Sequence, residues 1–288
     1  MKGGIFIKTL PVWASNYLRV LGLSQKEPTY DYLVQLCQAH LSTLPFENIS
    51  KMLYYRDQAK NNFIIPSIET FVEHADTYSF GGTCYTLNSH FQHLLDYLGF
   101  SCYLVMLGNE HMGIVVQLDC EKVYVDCGAA APIFKPVRFE SNHQNVSEFA
   151  DDRVHILPVN PQLSSYKYVR YTQGKQSGRD WDFKADQKQT IQDFQDVIQA
   201  ANKPGTTFMK ILRCQLWQTD KGRSVSLINN QFSIRHSDGR VEKHTLQTTS
   251  EIEAVLEKEF LLPKLPVRKA IDVLEELNIH IFSGEKSR

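Results

Sequence analysis

The sequence predicts an α+β protein, and three observations carry that prediction. Apolar residues at helical spacing fill the first third, and short runs rich in Val, Ile and Tyr take over from Ser101. A second strand-rich block follows near the C-terminus, bracketed by amphipathic helices. At 288 residues the chain exceeds what one hydrophobic core serves, which predicts two or three packed domains.

The elements follow in order. Thr29 is an N-cap for a helix whose face is Leu33, Leu36, Cys37 and His40-Leu41, stopped by Pro45. Ser67, after Pro66, caps a second helix over 68–74. A third carries Leu87, Phe91, Leu94, Leu95 and Leu98 and ends at Gly99. Strands are predicted over 102–107, 112–118, 123–126 and 166–171. Gly174, Gly178 and the polar residues between them predict a flexible connection. Ile191, Phe194, Val197, Ile198 and Ala201 then mark a helix that stops at Asn202-Lys203-Pro204-Gly205. Strands over 211–217, 225–228 and 232–235 form an antiparallel meander, with Asn229-Asn230 and Ser237-Asp238-Gly239 as turns. Helices over 250–261 and 267–277 close the chain, which shows no internal repeat and no low-complexity tract.

Composition narrows the function. Hydrophobic residues make up 42% and charged residues 22%, as in an ordered globular protein. Thirty-one basic against thirty-two acidic side chains leave a formal charge of −1, too balanced to gather nucleic acid or an anionic membrane. A small molecule is therefore the expected partner. The six cysteines form no Cys-x-x-Cys pair and read as thiols. Lys8 interrupts the apolar Ile5-Phe6-Ile7 before it could form a signal-peptide core, and no run approaches the roughly 20 apolar residues of a membrane helix. The expected location is cytoplasmic, where the Asn-x-Ser matches at Asn48 and Asn145 carry no meaning.

The chemistry centres on three residues. Cys84 follows Gly81-Gly82-Thr83 and opens the Leu87 to Leu98 helix, where the macrodipole and unpaired N–H groups favour a thiolate. His111 opens one strand and Asp126 closes the next, across a short polar turn. In an antiparallel pair with an even-length turn, opposed positions have an odd sum, as 111 and 126 do, so both side chains share a face. A carboxylate beside a histidine fixes its tautomer and stabilises the imidazolium. Cys84, His111 and Asp126 are the expected catalytic set.

At this point the chain resembles the arylamine N-acetyltransferase family. That family's cysteine lies in Arg-Gly-Gly-x-Cys-x-Glu-x-Asn; here the stretch is Phe80-Gly81-Gly82-Thr83-Cys84-Tyr85-Thr86-Leu87-Asn88. The upstream Pro-Phe-Glu-Asn is intact as Pro45-Phe46-Glu47-Asn48, and the histidine strand is His111-Met112-Gly113-Ile114-Val115-Val116. Val125-Asp126-Cys127-Gly128-Ala129-Ala130 stands for the family's Val-Asp-Val-Gly-Phe-Gly. The resemblance implies a helical bundle over 1–86 ending at the cysteine and an antiparallel β-barrel over 87–188 carrying the histidine and aspartate. An interdomain helix with an α/β lid over 189–288 completes it, around a cysteine-protease-like core. It implies ping-pong acetyl transfer from acetyl-CoA, without a metal, to an arylamine, arylhydroxylamine or hydrazine, in a monomer or homodimer. Phe46, Thr83, Gly128, Ala129 and Ala130 are implied to contact substrate. Glu47, Asn48, Phe80, Gly81 and Gly82 are implied to support the site.

Two departures qualify the match: Phe80 and Thr86 replace the motif's arginine and glutamate. Glu47 is thus expected to lack a cationic partner, leaving a looser nucleophile loop or a substitute from elsewhere. Ala129 and Ala130 replace Phe-Gly, which predicts a wider acceptor pocket. The competing readings are a papain-like or transglutaminase-like enzyme, an amide synthase of the same family, and a weakly active paralogue that mainly binds aromatic amines or CoA. His74, His90 and His93 read as a solvated helix face rather than a metal site, because no carboxylate or cysteine joins them at ligand spacing.

Overall fold

The computed structural model describes residues 10–58, 63–119, 121–140 and 146–282. The apolar run before Lys8, Cys120 and Asn145, all used in the reading above, lie outside the described residues. The first part is helical: α1 (Val12–Val20), α2 (Tyr30–Thr43), a two-residue β1 (Phe46–Glu47), α3 (Ile49–Asp57), α4 (Ile68–Tyr78) and α5 (Cys84–Tyr97). Both expected caps form: the Thr29 hydroxyl accepts the Tyr32 N–H and the Ser67 hydroxyl accepts the Thr70 N–H, each at 3.2 Å.

Next come β2 (Ser101–Leu107), β3 (His111–Leu118) and β4 (Glu121–Val125), then β5 (Val146–Phe149), β6 (Asp152–Asn160), β7 (Ser165–Thr172), β8 (Lys175–Gln176) and β9 (Trp181–Lys184). A 3₁₀ turn over Ile191–Phe194 runs into α6 (Gln195–Ala201). The final part holds β10 (Arg213–Gln218), β11 (Arg223–Ile228), β12 (Gln231–His236), β13 (Val241–Thr245), α7 (Thr249–Lys258) and α8 (Val267–Glu276).

The strands form three antiparallel sheets: β2-β3-β4, β5-β6-β7-β8 with β9 on β7, and β1-β10-β11-β12-β13. The mixed α and β character is as expected, but the closed barrel is not formed among the described residues. The free edges of β2 and β4 each meet a single isolated bridge, Leu104 to Gln189 and Tyr124 to Val137, instead of a ladder. The two sheets pack face to face instead. Ile114 and Val116 of β3 face the helical core, while Val115 and its partner Tyr124 face the second sheet with Tyr168 and Phe183. Both faces being buried explains the unbroken apolar run of β3.

The 174–178 stretch, expected to be a flexible connection, carries β8, and β9 follows it. Its glycines bracket β8, which pairs with β7 through Tyr171 and Thr172, and β9 also lies on β7, with Tyr168 opposite Trp181. The histidine reading also changes: His90 is buried and stacks on Phe71 at 4.5 Å, because α4 covers that face of α5. His74 bonds to the Tyr54 hydroxyl at 2.8 Å and His93 packs on Trp13 at 4.9 Å. Among the described residues no group of His, Cys, Asp or Glu could hold a metal ion, and no helix is long and apolar enough to cross a membrane.

Short as it is, β1 ties the helical part to the third sheet, pairing Phe46 with Gln215 and Glu47 with Cys214. Asn48, fully buried, reinforces the join. Its amide donates to the carbonyls of Phe208 at 2.9 Å and Ile211 at 2.6 Å, and its oxygen accepts the Arg213 N–H at 2.8 Å. Asn48→Ala strands three buried polar groups, so chemical unfolding should show a loss of about 2–4 kcal/mol; a loss within experimental error would mean the join is incidental.

Candidate active site

The site is built from the helix start at Cys84. Thr83 places no side-chain oxygen over the first turn of α5, so the leading N–H groups are not capped by it. The turn before it is held tightly: the Gly82 N–H donates to the Pro45 carbonyl at 3.3 Å and the Glu47 N–H donates to the Gly82 carbonyl at 3.0 Å. A Cβ on Gly81 would lie 1.9 Å from the Pro45 oxygen, so no larger residue fits there. The Glu47 carboxylate is buried and accepts the Ser50 N–H at 2.8 Å, the Ser50 hydroxyl at 2.5 Å and the Gly81 N–H at 3.1 Å. Burial raises its pKa above the ordinary 4.5, against the pull of those donors. The expected substitute for the motif arginine is therefore a set of neutral donors. Phe80 itself turns away into an aromatic cluster with Tyr54, His74 and Tyr78, with ring centroids 6.1, 5.8 and 5.3 Å from its own.

The β3–β4 register brings in the other two residues. Leu118 pairs with Glu121 and Ile114 with Val125; continuing the ladder sets Asp126 beside Gly113, two residues from His111 and on the same face. His111 Nε2 lies 2.7 Å from Asp126 Oδ2. The same carboxylate accepts from Asn88 Nδ2 and the Tyr124 hydroxyl, both at 2.8 Å, and from the Gly128 N–H at 2.9 Å. Asp126 has no exposed surface. Burial alone would push its carboxyl up; the charge and hydrogen bond of His111, helped by Asn88 and Tyr124, outweigh that and hold it below 3.8.

For His111 burial opposes protonation, yet the Asp126 charge and hydrogen bond, with a further hydrogen bond and charge from Cys84, raise its pKa from 6.5 to about 10. A raised imidazole pKa contributes stability that is full below pH 6.5 and is lost as pH climbs through about 10. Because Nε2 is taken by Asp126, Nδ1 is the nitrogen left for the Cys84 sulfur.

A cavity of about 490 Å³ opens over His111, and Phe46, Thr83, Gly128 and Ala129 line it. Ala130 is not among the lining residues. Its backbone is left-handed at φ 51°, and its carbonyl accepts from Arg170 at 3.2 Å and Gln215 at 3.0 Å. The reading from sequence missed Lys51, Tyr85, Trp181 and Phe208 in the walls. Trp181 is the largest omission: its indole stacks on the His111 ring at 4.5 Å and 7°, and donates to Glu110 at 2.8 Å. Its only local signal was the Trp181-Asp182-Phe183 alternation, outweighed by neighbouring glycines.

The N-acetyltransferase family model matches residues 29–266. The chain belongs to the arylamine N-acetyltransferase family. It is thereby a CoA-dependent N-acetyltransferase. Solved arylamine N-acetyltransferases share its fold at low identity. That of Salmonella typhimurium has a TM-score of 0.76 and 17% identity, covering 93% of this chain and 100% of its own. Bacillus anthracis arylamine N-acetyltransferase C gives 0.71 and 18%, covering 88% and 100%. The Mycobacterium marinum enzyme in complex with CoA gives 0.71 and 16%, covering 92% and 99%. No curated protein matches the sequence closely enough to count as a relative.

In this N-acetyltransferase, Gly128 is a packing requirement of the start of α5: an added Cβ would sit 2.6 Å from the Cys84 Cα and 3.1 Å from its carbonyl oxygen. Gly128→Ala should push the β4 end away from α5. We expect Cys84 alkylation by iodoacetamide to slow at least about tenfold, since a small displacement of reacting groups costs that much or more. An unchanged rate would show that the contact does not position the sulfur.

Proposed function

We propose that the enzyme moves an acetyl group from acetyl-CoA to an arylamine, arylhydroxylamine or hydrazine by a ping-pong route in the cytoplasm, through a Cys84 thioester. The observation that carries this reading is the buried 2.7 Å contact of His111 with Asp126, in a cavity that Thr83 and Tyr85, the neighbours of Cys84, line together with that ring. The sulfur attacks the acetyl carbonyl, the C–S bond to CoA breaks, and His111 gives its proton to the departing thiolate. The amine nitrogen then attacks the thioester, His111 takes its proton, and the Cys84 thiolate leaves. Asp126 keeps the ring oriented and balances its charge in both halves. The uncapped N–H groups at the start of α5 are suited to hold the oxyanion.

On a division into domains 1–86, 87–188 and 189–288, Cys84 comes from the first, His111 and Asp126 from the second, and Phe208 of the third lines the cavity. Ala129 in the wall supports an acceptor site without the family's phenylalanine.

Intact-protein mass spectrometry tests the thioester. Mixing with acetyl-CoA should add one acetyl group to the wild type and none to Cys84→Ala, and an aromatic amine should then remove it. Acetyl on the Cys84→Ala protein, or none on the wild type, contradicts the route; hydrolysis of a peptide substrate in place of loading would favour the protease-like reading.

A further inference from the structure

One charged group in the cavity has no part in the acetyl transfer just described. Lys51, on α3, is 5% exposed and lines the same cavity as His111 and Phe46. Its ammonium donates to the Ala201 carbonyl at 2.8 Å and forms no ion pair among the described residues. An ammonium carries three N–H donors, so the carbonyl leaves donor capacity over. The other charged residues of the lining are committed elsewhere, His111 to Asp126 at 2.7 Å and Glu110 to the Trp181 indole at 2.8 Å and to Arg179 at 3.1 Å.

A buried cation without a counter-charge is costly, and here burial lowers the Lys51 pKa from 10.5 to about 8 while the Cys84 charge acts the other way. On the proposed route Cys84 attacks as an anion and becomes a neutral thioester, so acylation removes that negative charge. Lys51 then faces the acceptor with no anion beside it. The surrounding wall, Phe46 packed edge-on against Phe208 at 5.4 Å, is shaped for an aromatic ring.

We propose that Lys51 is the anion-binding point of the acceptor subsite and selects aromatic amines that carry a carboxylate. This rests on the acetyl-transfer reading for the role of the cavity, but its test needs no turnover. The probes are 4-aminobenzoate and its neutral isostere 4-aminobenzamide, titrated by calorimetry into Cys84→Ala protein, which lacks the thiolate as the acyl-enzyme does. The benzoate should bind at least about tenfold more tightly, the scale of a charge-assisted hydrogen bond. Adding Lys51→Met should shrink the difference below about threefold, and Lys51→Gln should do the same if the methionine variant fails to fold.

Equal affinities in the lysine-bearing protein, or a preference that survives loss of Lys51, overturns the proposal. Loading of wild-type Cys84 from succinyl-CoA in preference to acetyl-CoA, lost in Lys51→Met, would put the carboxylate on the acyl donor and overturn the acceptor assignment. Failure of Cys84 to load from any thioester would count against the transfer route and leave the binding comparison standing.

Discussion

Asp126 holds a negative charge with no exposed surface, and the site is organised around making that tolerable. Four donors converge on it from different parts of the chain: Asn88 on α5, His111 at the start of β3, Tyr124 on β4 and the Gly128 N–H in the loop beyond. A buried carboxylate deprived of partners would protonate or disrupt its surroundings. Satisfying it therefore fixes the distance between α5 and the start of β3. Asn88 completes the lock by donating to the Met112 carbonyl at 2.6 Å and accepting the Cys127 N–H at 2.9 Å. The same contacts that make the fold cooperative are those that set the imidazole's charge.

A second buried carboxylate, Glu47, organises the loop on the other side of the sulfur and does so without a cation. Ser50 and the Gly81 N–H satisfy it, while Phe80 joins an aromatic cluster. The loss of the motif's arginine at Phe80 is thus absorbed by packing and neutral hydrogen bonds. A positive charge in the cavity wall comes instead from Lys51.

Much of this was legible before any coordinates. The helix caps at Thr29 and Ser67, the placement of Cys84 at a helix start and the shared face of His111 and Asp126 all rest on local periodicity, which sequence records directly. What escaped depends on partners far along the chain. The barrel does not close because the edges of β2 and β4 lack ladder partners among the described residues, a property of sheet packing with no local trace. β13 is exposed throughout and so has no apolar alternation. Trp181 reaches His111 only because β9 pairs with β7, and Lys51 looks from its neighbours like a helix-surface lysine until α6 and the segment after it cover it.

The central claim is that Asp126 keeps the His111 ring protonated against the cost of burial. Nitrogen-15 NMR of the imidazole across a pH titration reads this directly. The wild type should show an imidazolium from pH 6 to beyond pH 8, with titration near 10. Asp126→Asn, which leaves the burial and removes the charge, should show a neutral ring at pH 7. A wild-type ring already neutral at pH 7, or one that stays charged after the substitution, would contradict the account.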